Sequence, residues 1–76
     1  MNGAQAGARI KEIDSKIRHL NSEIAEMSES PVFDLDTRLG RMYRAEVVAR
    51  EDEVRGLAAE RRKLASTVKK LDIAAP

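Results

Sequence analysis

Six apolar side chains, Ile10, Ile13, Ile17, Leu20, Ile24 and Met27, recur at alternating spacings of three and four. On a helix that spacing holds them in one narrow stripe, the pattern of a helix that buries a single seam against a partner helix. A second stripe follows, in which Tyr43, Val47, Arg50, Val54, Leu57, Arg61, Leu64, Val68 and Leu71 repeat at four and three. Between the two stands Ser30-Pro31, where the proline ring disfavours helical geometry at the residue before it. Two narrow seams separated by a break restrict the chain to a pair of long helices.

The two seams can be tested against each other, because an antiparallel hairpin pairs residues whose numbers add to a constant. A single constant pairs Ile24 with Tyr43, Leu20 with Val47, Ile17 with Arg50, Ile13 with Val54, Ile10 with Leu57 and Ala6 with Arg61. The expected fold is therefore all-α, an antiparallel helical hairpin or two-helix coiled coil, in one domain spanning 1–76. Gly3 and Gly7 weaken helix at the start, so 1–7 is expected to fray, with the first helix over 8–29, a turn over 30–36, the second helix over 37–72 and a tail over 73–76. Asp34 or Asp36 is expected to cap the second helix, or else Ser30 caps and Pro31 is its first residue. Gly40 and Gly56 each cost that helix about 1 kcal/mol relative to Ala. The competing arrangement is a parallel extended dimer in which Arg9 meets Asp14 across the seam; the Ser-Pro break and the shared register favour the hairpin.

Charge accommodates this register without dictating it. Residues 1–36 carry four Lys/Arg against seven Asp/Glu and residues 37–76 ten against six, so the two halves attract. In detail Lys16 falls near Glu53 and Arg9 near Glu60, both favourable, whereas Glu23 falls near Glu46 and Asp14 near Glu51, both repulsive. Arg50 and Arg61 occupy seam positions, where arginine is costly unless its stem packs and its head reaches a carboxylate, and there they are expected to fix register or oligomeric state. Arg38, Arg41 and Arg44 are expected to hold Glu26 and Glu29 of the first helix or an acidic partner surface.

The register leaves apolar surface over. Val68 and Leu71 have no counterpart, Leu64 faces only Gly3, and Leu39, Met42, Ala45, Val48 and Ala49 lie off the seam near the turn. A chain of 76 residues without cysteine has neither a large core nor a covalent staple. The expectation is a homo-oligomer, most simply a dimer forming a four-helix bundle through Leu39, Met42 and Val48, together with a protein partner received by Leu64, Val68 and Leu71.

Catalysis and cofactors have little footing. The composition, 36% charged with Phe33 and Tyr43 as the two aromatics, is that of a long-helix protein. Glu51, Asp52 and Glu53 read as a solvated helix stretch, since general acid or base work needs a pocket that perturbs the pKa. His19, the one histidine, falls on the outer face, and none of Ser15, Ser22, Ser28, Ser30 and Ser66 has a histidine partner in a nucleophile motif. No metal-ligand spacing is present, so no metal, cofactor, catalytic residue or small-molecule substrate is expected. Lacking an apolar run or a signal-like leader, the chain is expected to be cytoplasmic and off the membrane.

The functional expectation is a non-enzymatic protein-protein interaction module, a small adaptor, assembly factor or inhibitor acting through the hairpin. The alternative is a small nucleic-acid-binding regulator, in which Arg61, Arg62, Lys63, Lys69 and Lys70 near the end of the second helix contact phosphates. No aromatic stacking platform accompanies those cations. No motif assigns the chain to a family.

Overall fold

The computed structural model describes residues 3–74, with side chains described from 3 to 70. It is all-α: helix α1, Gly3–Glu29, a single 3-10 turn, Pro31–Asp34, and helix α2, Arg38–Ala74. The two helices pack side by side as the expected hairpin. Helix α1 reaches back to Gly3, five residues before the expected start, and α2 runs on to Ala74; Met1, Asn2 and residues 75–76 lie outside the described residues. The hairpin is a rod of 60 × 14 × 14 Å. At 1.5 Å per residue the 37 residues of α2 alone span about 56 Å, so α2 sets the length and α1 lies within it.

The seam is one side chain wide. Ala6, Ile13 and Leu20, one heptad apart, are buried on α1, and Val47 is buried on α2; among the described residues Ile13 is the one large side chain with no exposed surface. The interleaved residues Ile10, Ile17, Ile24 and Met27 are half-buried, as are Tyr43, Val54, Leu57, Leu64 and Val68. Leu20 and Val47, paired by the register, are both buried. Two helices meeting along one line enclose only the residues aimed straight at the partner, and those a step to either side keep a wet edge.

The turn differs from every capping scheme read from the sequence. Ser30 does cap, its Oγ accepting from Val32 N at 3.3 Å with Pro31 first in the turn, but what it caps is the short 3-10 segment, not α2. The cap of α2 is Thr37, whose Oγ1 accepts from Gly40 N at 3.1 Å and whose carbonyl accepts from Arg41 N. Asp34 and Asp36 are displaced from that role because the chain stays out of α-helix through Leu35, which closes the 3-10 turn by donating its N–H to Val32 O. Helix α2 thus begins one residue after a hydroxyl that satisfies an otherwise orphaned donor.

Gly40 is required by that turn. A Cβ there would collide with the Leu35 carbonyl oxygen and stand 2.7 Å from the Val32 oxygen, so the first turn of α2 fits under the loop because it lacks a side chain at this point. Gly56, in the same helix, has nothing within 4 Å of the corresponding position. Gly56→Ala is expected to stabilise the protein by about 1 kcal/mol through helix propensity, and Gly40→Ala to destabilise it despite the same propensity gain. Thermal melts followed by circular dichroism check this, and a Gly40→Ala chain as stable as the parent would mean that the turn does not pack on α2. In the same assay Ile13→Ala is expected to cost about 2–5 kcal/mol, the range for emptying a fully buried aliphatic site.

Candidate functional site

Side chains on an α-helix lean toward its N-terminus. For α2 that direction is toward the turn, and its arginines follow it. Arg41 reaches back to Asp36, Arg44 to the carbonyl oxygens of Phe33 and Leu35 at 2.6 and 3.1 Å, Arg50 to Glu46, and Arg55 to Asp52. Arg41 and Arg44 therefore serve the turn, where the sequence suggested Glu26 and Glu29 as their partners. The Arg44 guanidinium ties two loop carbonyls to the second turn of α2.

The same lean carries two arginines across the seam. Arg50 stands opposite Ile17 in the expected register, yet its guanidinium lies 3.6 Å from Glu23, six residues nearer the turn. It also donates to Glu46 Oε2 at 2.6 Å. Glu23 and Glu46, expected to repel, are thus bridged by one cation. Arg61, expected to face Ala6 from within the seam, is exposed and donates through Nε to Asp14 Oδ1 at 2.6 Å, eight residues nearer the turn. Asp14 accordingly turns to Arg61, relieving the repulsion expected with Glu51. Arg50 remains half-buried with its Nε buried and without a hydrogen-bond partner, the cost of a guanidinium in the seam.

Arg9 and Glu60 pair as the register requires. Arg9 Nε donates to Glu60 Oε2 at 2.6 Å and Nη2 to Oε1 at 3.1 Å, a two-pronged bond, while Nη1 holds Glu12 at 3.0 Å. Lys16 pairs with Glu12 along its own helix and shares an open furrow with Glu53. The hydrogen bond from Arg9 holds the Glu60 carboxyl below the usual carboxylate range, and that from Arg61 does the same for Asp14. These pairs are solvated, so each adds little stability. Their value is in register, because a slip of one heptad parts all three cross-helix pairs at once.

The Arg9–Glu60 pair also serves as a ruler. From it α1 continues six residues back to Gly3, while α2 continues fourteen from Glu60 to Ala74. Among the described residues α2 therefore overhangs α1 by eight residues, about 12 Å. Leu64 and Val68 approach and enter this overhang half-buried; the side chain of Leu71 lies outside the described residues. Lys69 and Lys70 are exposed in the overhang and Arg62 and Lys63 just before it, and none of the four forms an ion pair among the described residues. Arg61, grouped with them by sequence, is already held by Asp14.

At the opposite end the off-seam apolar residues lie open. Leu39 is 47%, Met42 53% and Val48 55% exposed, and Leu35, which the sequence did not single out, joins them at 49%. Leu35 was missed because it precedes the helix, outside any periodic pattern. Leu39, Met42, Ala45 and Val48 follow at spacings of three, a ridge winding across the side of α2 turned from buried Gly40 and Val47. Along the seam the surface offers open furrows, such as that lined by Leu20, Glu23, Glu46, Ala49, Arg50 and Glu53. His19 is exposed beside Glu23, and no group of three His, Asp or Glu is placed to hold a metal among the described residues. None of their helices is long and apolar enough to cross a membrane.

No family model, no curated protein and no solved structure matches the chain.

The depressed Asp14 and Glu60 carboxyls set the sign of an acid response. Because the folded chain holds these protons less tightly than the unfolded one, their contribution is complete at neutral pH and is lost as pH falls through the ordinary carboxylate range, about 4, and below. The thermal midpoint is expected to drop between about pH 7 and about pH 3, and to drop less in the double variant Asp14→Asn, Glu60→Gln, whose midpoint at neutral pH is already lower.

Proposed function

We propose that the chain is a non-enzymatic protein-protein interaction module, a hairpin that presents apolar surface to other helices. The observation that carries this reading is the imbalance of its apolar residues. Among the described residues Ala6, Ile13, Leu20 and Val47 are buried, while Leu35, Leu39, Met42 and Val48 stand about half exposed at one end. Scattered apolar residues are ordinary on a protein surface, but a contiguous ridge on a helix is the form of a docking face. The same imbalance recurs at the other end, where α2 outruns α1 at Val68 and Leu64 lies beside the first turn of α1, both half-buried. In this reading Leu39, Met42 and Val48 serve self-association, and Leu64, Val68 and Leu71 receive a foreign helix in the space α1 leaves vacant, by bundle completion.

A second reading rests on a separate observation. Arg62, Lys63, Lys69 and Lys70 are exposed cations without carboxylate partners among the described residues, on the last described turns of α2. Four such charges are enough for a phosphate-contacting end, and binding through them would weaken steeply with salt. The protein-binding reading is preferred because the apolar surplus occurs at both ends of the rod, whereas unpaired lysine and arginine near a helix C-terminus also complement the helix dipole.

The two readings part in one experiment. Leu64→Ser, Val68→Ser is expected to retain the helical signal and to lose at least about tenfold of the protein captured by the parent chain, since two anchor residues are removed. Charge reversal of Arg62, Lys63, Lys69 and Lys70 is expected to leave that capture in place. Salt-sensitive binding to duplex DNA or RNA, abolished by the charge reversal and untouched by the serine variant, would instead establish the second reading. Loss of helicity in the serine variant would assign those residues to the fold.

A further inference from the structure

The ridge at the turn end carries a charge pattern that selects its occupant. Residues 38–44 contain Arg38, Arg41 and Arg44 and no acid, a net charge of +3; residues 45–53 contain Glu46, Glu51, Asp52 and Glu53 against Arg50, a net charge of −3. Of these, Arg38, Arg41 and Asp52 share the exposed face of Ala45, with Arg41 also holding Asp36 and Asp52 holding Arg55, whereas Glu46, Glu51 and Glu53 line the furrows beside α1. Resting on the interaction-module reading, we infer that the ridge is covered by a second copy of this chain, α2 against α2 in antiparallel sense across a two-fold axis near Ala45.

Charge favours the antiparallel sense. Antiparallel pairing about Ala45 sets Arg38 of each copy against Asp52 of the other, twice over by symmetry. Parallel pairing sets basic on basic and acidic on acidic. Packing agrees, because Ala45 and Ala49 leave room between Met42 and Val48 for the ridge of a facing helix.

The arrangement has a functional consequence for the module. With the axis near Ala45, each α2 runs a further 29 residues to Ala74 in opposite directions, so the overhanging ends lie about 85 Å apart. The dimer is then a two-ended connector, offering the same docking end at both poles of one rod.

The absence of native cysteine makes the test direct. Arg38→Cys and Asp52→Cys variants, made separately and mixed, are joined with a short bismaleimide, while light scattering reports the mass of the parent. The expected result is a dimeric mass and a crosslinked product that needs both variants in the tube. Met42→Glu is expected to weaken self-association about 100-fold, as for a central apolar anchor. Arg38→Glu, Arg41→Glu is expected to weaken it about tenfold, less so at high salt. Because all three positions are exposed in the hairpin, circular dichroism is expected to show unchanged helix, and the crosslink stands where a variant fails to fold. A monomeric parent, efficient crosslinking of Arg38→Cys with itself, or a dimer indifferent to both variants would each overturn the proposal. None of these touches the docking end, so capture that survives loss of the dimer, or a dimer that survives loss of capture, separates the two ideas.

Discussion

The structure depends on a seam that is one side chain wide. Two helices touching along a line can hide Ala6, Ile13, Leu20 and Val47, and little else completely. Everything beside that line keeps contact with water, which is why the flanks are lined with arginine and carboxylate. A three-layer domain fixes its register by fitting many side chains into an enclosed core; here much of that specification passes to long, solvated charged groups. Arg9 with Glu60, Arg50 with Glu23 and Arg61 with Asp14 occupy both flanks of the seam and agree on one alignment. Individually weak, they fail together when the helices slide.

The lean of side chains toward the helix N-terminus turns this into a directional system. In an antiparallel pair the two helices lean in opposite senses, so a long side chain on α2 meets partners on α1 that lie nearer the turn than the residue directly opposite. Arg50 and Arg61 both show the displacement. The displacement resolves a conflict that a flat pairing of opposite residues creates, since it places a cation between Glu23 and Glu46 and gives Asp14 a partner other than Glu51. Arg44, following the same lean where α1 has ended, finds loop carbonyls instead and fastens the turn. One geometric rule thus connects the register of the rod with the rigidity of its end.

That end is where fold and proposed function meet. The loop sits on α2 at Gly40, with its own Val32 and Phe33 half-buried, and this uses the side of the helix facing α1. The opposite side is left with Leu39, Met42, Ala45 and Val48, more apolar surface than a solvated helix carries by default. At the far end α2 outruns its partner and again leaves aliphatic residues short of cover. A hairpin so built is too narrow to bury these residues itself.

The sequence by itself determined the two helices and the break between them, because each follows from periodicity and spacing that any helix enforces locally, and it favoured the antiparallel register that brings Arg9 to Glu60. It also located the exposed ridge, since Leu39, Met42 and Val48 fall outside the seam whatever the details of packing. Tertiary structure alone decided the cap at Thr37, the close approach at Gly40, the Arg44 clasp, the exposure of Leu35, and the partners of Arg50 and Arg61. Each of these depends on where a loop without periodicity places its carbonyls or on which of several acids a seven-atom side chain reaches. Spacing along a chain settles which face a residue occupies; it does not settle how far along the neighbouring helix that residue extends.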